Sequence, residues 1–444
     1  ASSFESKGQL PAELASSLEA TRFSGYATCA EADERVLAIV RGGKKLDELN
    51  TGEEAIILLD RTPFYAESGG QVGDCGELRT PNGTFQVTDT IKLGGVFHGH
   101  VGRWQGQAAL TPGTMVEAIV DQDRRRSIVL NHSATHLLHA ALRTVLGEHV
   151  TQKGSLVAPD RLRFDFAHFQ PVSPAELRRI EDLVNAQIRG NHEAEVHNMG
   201  YDDAINMGAM ALFGEKYGDH VRVLRMGEFS TELCGGTHVT RTGDIGLFKL
   251  LGEGGVASGI RRIEAITGAD ATAHVVDEER RLGELAQMLS SSPLDAVEKL
   301  RQLLDKQKKL ERELESFKAK AASAASADLE GQAVEVGGIR VLAARLDGLD
   351  AKSLRDSVDQ LKVKLGDCVV LLASGADGRI ALVGGVGGKA LGRIKAGDVV
   401  AHVAAAIGGK GGGRPDMAQG GGTDSPAVAS VLSSLPQWIG KTLA

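Results

Sequence analysis

Cysteine is scarce, and the four present, Cys29, Cys75, Cys234 and Cys368, lie far apart with no paired framework. That spacing argues against a disulfide scaffold and for a reducing cytoplasm in which at most Cys234 has a chemical task. No apolar run approaches the length of a membrane-spanning helix, and Ala1-Ser2-Ser3-Phe4-Glu5 lacks the apolar core of a secretory signal. The expectation is a soluble, cytoplasmic protein with no membrane partner. A P-loop is missing too, because Lys389 is followed by Ala390 and Lys410 by Gly411 where magnesium binding needs a hydroxyl. Positive net charge is also lacking, at −8. This argues only weakly against nucleic acid, since phosphate binding depends on local charge. Basic residues do cluster, at Arg124-Arg125-Arg126, Arg261-Arg262, Lys389 to Lys395 and Lys410 to Arg414, and each cluster also reads as a solvated face.

What is present is globular material: 444 residues with 42% hydrophobic and 24% charged side chains, too long for one compact core and suited to two or three domains. The fold class expected is α+β and multidomain. Residues 1–20 read as the end of a helical segment. Over 21–122, short β runs at Val36–Val40, Ala55–Leu59 and Met115–Val120, with turn signals at Asn82-Gly83 and Pro112-Gly113, predict a small β-barrel. Over 123–270, helices and strands alternate in an α+β sandwich, with Ser173-Pro174 opening an amphipathic helix through Ile180, Val184 and Ile188. Over 271–328, leucines in steps of three and four predict an antiparallel helical hairpin, with Ser292-Pro293 starting its second arm. The hairpin fits best, and pairing of so narrow a seam with a second copy of the chain, through the hairpin or the C-terminal part, is the alternative. Residues 329–444, with strands at Val369–Leu372 and Ile380–Val383, read as a glycine-rich C-terminal α/β domain.

Two pairs of residues carry the chemistry. His132 and His136 are four apart in a segment, Ser127 to Leu146, whose Ile128, Leu137, Leu138, Leu142 and Val145 give a helix a buried face. Both imidazoles then project from one side. Cys234 and His238 share the spacing but enclose Gly235 and Gly236, which suits a tight loop. Either pair alone is also what a hydrogen-bonded core would show. Together, one thiolate and up to three imidazoles fit a borderline-soft divalent ion, zinc first. His139, three residues past His136, reads as a supporting or packing residue.

These stretches also carry a resemblance. Asn131-His132-Ser133-Ala134-Thr135-His136, with Thr231-Glu232-Leu233-Cys234-Gly235-Gly236-Thr237-His238 and the earlier Phe64-Tyr65-Ala66-Glu67-Ser68-Gly69-Gly70-Gln71-Val72-Gly73-Asp74, closely resembles the editing domain of alanyl-tRNA synthetases. Gly408 to Gln419 resembles that family's C-terminal signature. The resemblance implies the C-terminal half of such an enzyme, without the ATP-dependent aminoacylation domain. It further implies zinc at His132, His136, Cys234 and His238, hydrolysis of mischarged Ser-tRNA(Ala) and Gly-tRNA(Ala), and binding of tRNA(Ala) through the C-terminal domain. Within that frame Gln152 is expected to face the aminoacyl group and Gln71 or Thr237 to position water. Lys410, Arg414, Lys389 and Arg393 are expected on the tRNA backbone. Four ligands would close a tetrahedral zinc, whereas three would leave a place for water. A free-standing aminoacyl-tRNA deacylase and a non-catalytic tRNA-binding module with structural zinc are the alternative readings.

Overall fold

The structure, a computed structural model, describes residues 10, 12–211, 218–376, 378–423 and 425–444. Half of the helical segment expected over 1–20 lies outside these, and a short helix, Ala12–Ser17, forms within them. Two compact units divide the chain, Ala1–Leu282 and Gly283–Ala444.

The first unit begins with a closed antiparallel barrel. Its strands run in the order Ala30–Arg41, Glu54–Leu59, Phe97–Gly106, Gly83–Leu93, Gly76–Thr80 and Met115–Val120, and the last pairs back onto the first. Closure is possible because Ala30–Arg41 is long and irregular: it pairs with Met115–Val120 at one end and Glu54–Leu59 at the other, with a register shift between Glu31 and Glu34. Period-two burial along Val116, Ala118 and Val120 turns one face inward, against Phe85, Leu78 and Trp104. Three barrel strands over 76–106 escape sequence reading. They are rich in Thr, Gln and Gly rather than apolar residues, and at Gly102 a side chain would collide with the Phe85 ring and the Gln86 backbone.

Barrel and sandwich meet along the helix Gln122–Leu146, capped by Asp121, whose side chain accepts from Arg124 N. The first turn carries Arg125 inward to Asp74, buried with it, and Arg125 also donates to the carbonyls of Gly25 and Pro63. One face of the helix, at Leu137, Leu138, Ala141 and Leu142, packs with Phe164, Phe166, Phe248 and Ile263 of an antiparallel sheet. That sheet is ordered Gln152–Val157, Leu162–Ala167, Ile260–Thr267, Phe248–Ala257. The helix Pro174–Gly190 starts as expected, with Ser173 and Glu176 in a reciprocal capping box and Ile180, Val184 and Ile188 buried. A second sheet, Ala194–Gly200, His220–Met226 and Ser230–Leu233, delivers the Cys234 loop.

Both helices assigned to the hairpin form, Gly268–Met288 and Ala296–Leu329, and Leu300, Leu303, Leu310, Leu314 and Phe317 of the second are exposed. Its start is later than the sequence suggested. Ser292 bonds Asp295 in a preceding turn, and Asp295 takes the cap position. In the second unit a six-stranded mixed sheet carries helices on both faces: Ala351–Leu365 packs through Leu354, Val358 and Leu361 on one, and Ala396–Ala406 with Ala427–Leu443 on the other.

Candidate metal centre and its cavity

His132, His136, Cys234 and His238 converge so that one ligand atom from each lies within 4.8 Å of the others. Which atoms face inward follows from the hydrogen bonds behind them. Thr237 N can only donate, and it donates to Gln71 Oε1 at 3.0 Å, so that atom is an acceptor; His132 Nδ1, 2.7 Å from it, must therefore carry the proton. Glu232 accepts from His136 Nδ1 at 2.6 Å and from His139 Nδ1 at 3.0 Å. Ser133 Oγ gives its proton to Val129 O, so toward His238 Nδ1 it can only accept. Each of the three rings is thus held by Nδ1 and turns a lone pair on Nε2 to the centre. His132 Nε2 and His238 Nε2 stand 3.5 and 3.2 Å from Cys234 Sγ, and His136 Nε2 is buried without a hydrogen-bond partner. Three lone pairs and a thiol around one point fit a zinc-type ion, and a carboxylate behind a ligating imidazole is the usual support for one.

Electrostatics agree. Burial opposes charge on every group here, yet the imidazoles of His132, His238 and His136 hold the Cys234 thiol well below its ordinary range. Burial would raise Glu232, but His136 and His139 draw it down to about 2. Against its own burial, His136 is pushed up to about 10 by Glu232 and Cys234. A buried thiolate and a buried carboxylate thus call for a cation, which a proton on His136 or a divalent ion can supply. His238, by contrast, is pushed down to about 3 by burial.

The loop bearing Cys234 is tied down from outside. Arg222 donates to the carbonyls of Cys234 and Gly236 at 2.8 and 3.1 Å, Tyr26 donates to that of Gly235 at 2.6 Å, and the Arg222 guanidinium lies 4.4 Å over the Tyr26 ring. Gly236 is required for close approach: a Cβ there would run into the His132 ring. The Glu67–Gln71 loop docks by Val157 N to Gly70 O at 2.7 Å.

Beside the cluster lies a cavity of ≈ 320 Å³. His132, His136, Cys234, Gly235 and Gly236 line one part, with Gln152 and Thr135; Phe23, Tyr65, Gly69, Lys92 and His98 line another. Gln152 lines this cavity with them. Gln71 and Thr237 do not. Both are buried behind the cluster and bonded to each other at 2.9 Å, so they orient His132 and the loop. Of the residues expected on tRNA, Lys410 and Lys389 are exposed. Arg414 pairs with Asp416 at 3.3 Å, and Arg393 donates to the carbonyls of Gly337 and Leu443. Within two other basic clusters, Arg125 pairs with Asp74, Arg261 with Glu253 and Arg262 with Asp165, while Arg126 stays exposed. Glu232 is not among the residues that the sequence singles out, although it stands on the strand Ser230–Leu233, two residues before Cys234. Nothing in the sequence singles out Tyr26 or Arg222, which act through long-range contacts.

Three family models match: tRNA synthetases class II (A) over residues 3–124, Threonyl and Alanyl tRNA synthetase second additional domain over 221–264, and DHHA1 domain over 338–441. An alanine--tRNA ligase of Xanthomonas axonopodis pv. citri is 58% identical over 97% of this chain and 49% of its own length, and that of Stenotrophomonas maltophilia is 58% identical over 98% and 49%. A solved structure, the C-Ala domain of Aquifex aeolicus alanyl-tRNA synthetase, is 27% identical with a TM-score of 0.23, covering 24% of this chain and 97% of that one. The chain spans about half the length of the curated relatives it matches. It belongs to the alanine--tRNA ligase family and corresponds to the C-terminal half of those enzymes.

Proposed function

We propose that the first unit hydrolyses seryl- and glycyl-tRNA(Ala) in the cavity beside the metal centre, and that the C-terminal domain contributes tRNA(Ala) binding. The observation that carries this reading is the shared wall: His132, His136 and Cys234 line the same ≈ 320 Å³ space as Gln152 and the barrel residues. That volume is at the small end for ligand sites and suits the end of an aminoacylated nucleotide. Chemical need supports it. A pocket shaped for alanine cannot strongly exclude the smaller glycine, and it rejects an added hydroxyl poorly, so a second, hydrolytic site is the remedy.

An aminoacyl ester is already activated, so the work left is to place a water and stabilise the oxyanion. His132, His136, Cys234 and His238 would hold zinc, which when bound supplies positive charge beside the substrate's polar groups. Gln152 offers an amide to the aminoacyl side chain or amine. Gln71, Glu232 and Ser133 keep the three imidazoles in one tautomer. Tyr26 and Arg222 hold the carbonyls of the Cys234 loop in place. The test is to offer the purified chain seryl-, glycyl- and alanyl-tRNA(Ala) and follow each ester. Hydrolysis of the first two with alanyl-tRNA(Ala) spared supports the reading; equal rates or none refutes it. A tRNA-binding module with structural zinc would bind all three and hydrolyse none.

A further inference from the structure

An aminoacyl ester hangs from the ribose of a nucleotide, so a site that presents the carbonyl to the metal end of the cavity must also accommodate that nucleotide and its charged phosphate. The other part of the cavity wall belongs to the barrel. Lys92 lines it from an exposed position on strand Gly83–Leu93. Among the described residues no carboxylate pairs with Lys92, and its hydrogen bond runs to His98 Nε2 at 3.4 Å. His98 donates from Nδ1 to Phe64 O at 2.8 Å, so its Nε2 offers a lone pair and no charge. A ring fixed in the barrel thereby holds an ammonium at the cavity without neutralising it. Beside this pair Phe23 stacks on His98 with centroids 5.3 Å apart and meets Tyr26 and Tyr65 edge-on at 4.8 and 5.9 Å. Tyr26 is 52% exposed. An unpaired cation next to aromatic faces is the combination that single-stranded nucleic acid requires, charge for the backbone and rings for the bases.

We propose that the barrel wall is a nucleotide subsite, in which Lys92 binds the 5′-phosphate of the ester-bearing terminal adenosine and the Phe23–Tyr26 group packs against its base. The identity of the ligand rests on the deacylase reading; the site itself rests on Lys92, His98 and the rings.

The experiment measures binding to the zinc-loaded full chain of two non-hydrolysable compounds, 3′-(L-serylamino)-3′-deoxyadenosine with and without a 5′-phosphate. In the wild type the phosphate is expected to tighten Kd about tenfold, the scale of one charge-assisted contact. In Lys92→Gln the two compounds should bind within about twofold of each other, with affinity for the unphosphorylated one unchanged, and Lys92→Arg should recover part of the preference. Lys92 is exposed, so the substitution spares the barrel core. Absence of a phosphate preference in the wild type would overturn the proposal, as would its persistence in Lys92→Gln or an equal weakening of both compounds. Hydrolysis of seryl-tRNA(Ala), followed separately, reports on the reaction: a chain that prefers the phosphate through Lys92 yet hydrolyses nothing removes the deacylase reading and leaves the subsite.

Discussion

Glu232 Oε2 accepts from His136 Nδ1 at 2.6 Å, and this contact decides which ring nitrogen faces Cys234. An amide in place of the carboxylate would remove the negative charge and leave only one oxygen for two histidines. Glu232→Gln is therefore expected to weaken zinc affinity roughly 10–100-fold, read by competition with a chelator of known affinity. Unchanged affinity would make Glu232 a bystander.

The two glycines of the metal loop are not equivalent. A Cβ on Gly235 meets nothing within 4 Å, whereas one on Gly236 strikes the His132 ring and approaches Gln71 Oε1. Gly236→Ala should lose stoichiometric zinc while Gly235→Ala keeps it, as elemental analysis of the purified variants would show. Equal zinc content in both would contradict the packing described here.

Much of this site was legible before any coordinates. His132 and His136 lie on the helical face that their spacing predicts, and Cys234 and His238 on the glycine loop, because helical periodicity and loop chemistry are local properties. Gln71 was read as a water-positioning residue and is instead sealed behind His132, since its partners, Thr237 and His132, come from segments remote in sequence. Arg125 looked like part of a basic face and is buried on Asp74, a pairing 51 residues away. The barrel strand Gly83–Leu93 escapes a period-two pattern because a bulge between Val87 and Asp89 shifts its alternation, so that Thr90 rather than Ile91 takes the next buried position.

The Arg125–Asp74 pair joins the metal-bearing helix to the barrel, with both side chains at most 5% exposed. Removing one partner strands the other charge in the interior, at a cost of about 3–5 kcal/mol. Asp74→Asn should lower the unfolding free energy of the first unit on that scale in denaturant titration. A change below about 1 kcal/mol, the range of exposed pairs, would place the pair in solvent.

His98 and His100 should make the barrel acid-sensitive. Burial pushes both from 6.5 down to about 4, and both are hydrogen-bonded as neutral rings, His100 to Ile57 O and Thr62 Oγ1. Between these values the unfolded chain binds protons that the folded chain refuses, so stability present above pH 6.5 is lost as pH falls toward 4, by up to about 3 kcal/mol per ring. Denaturation midpoints taken across that window for wild type and His100→Gln should show a shallower pH dependence in the variant. Parallel curves would contradict the neutral assignment.

The central claim is that the cavity beside His132, His136, Cys234 and His238 is where the ester is broken, and Cys234→Ala tests it most directly. The substitution takes the thiolate from the cluster and leaves three imidazoles. Deacylation of seryl-tRNA(Ala), melting temperature and tRNA affinity are measured on one preparation of each protein. The account predicts that hydrolysis falls by at least about 100-fold, the scale of losing one preorganised stabilising group, while tRNA affinity and the folded fraction at the assay temperature hold. Loss of activity only in proportion to unfolding would reduce the metal centre to a staple of the fold, and full activity without zinc would contradict the claim.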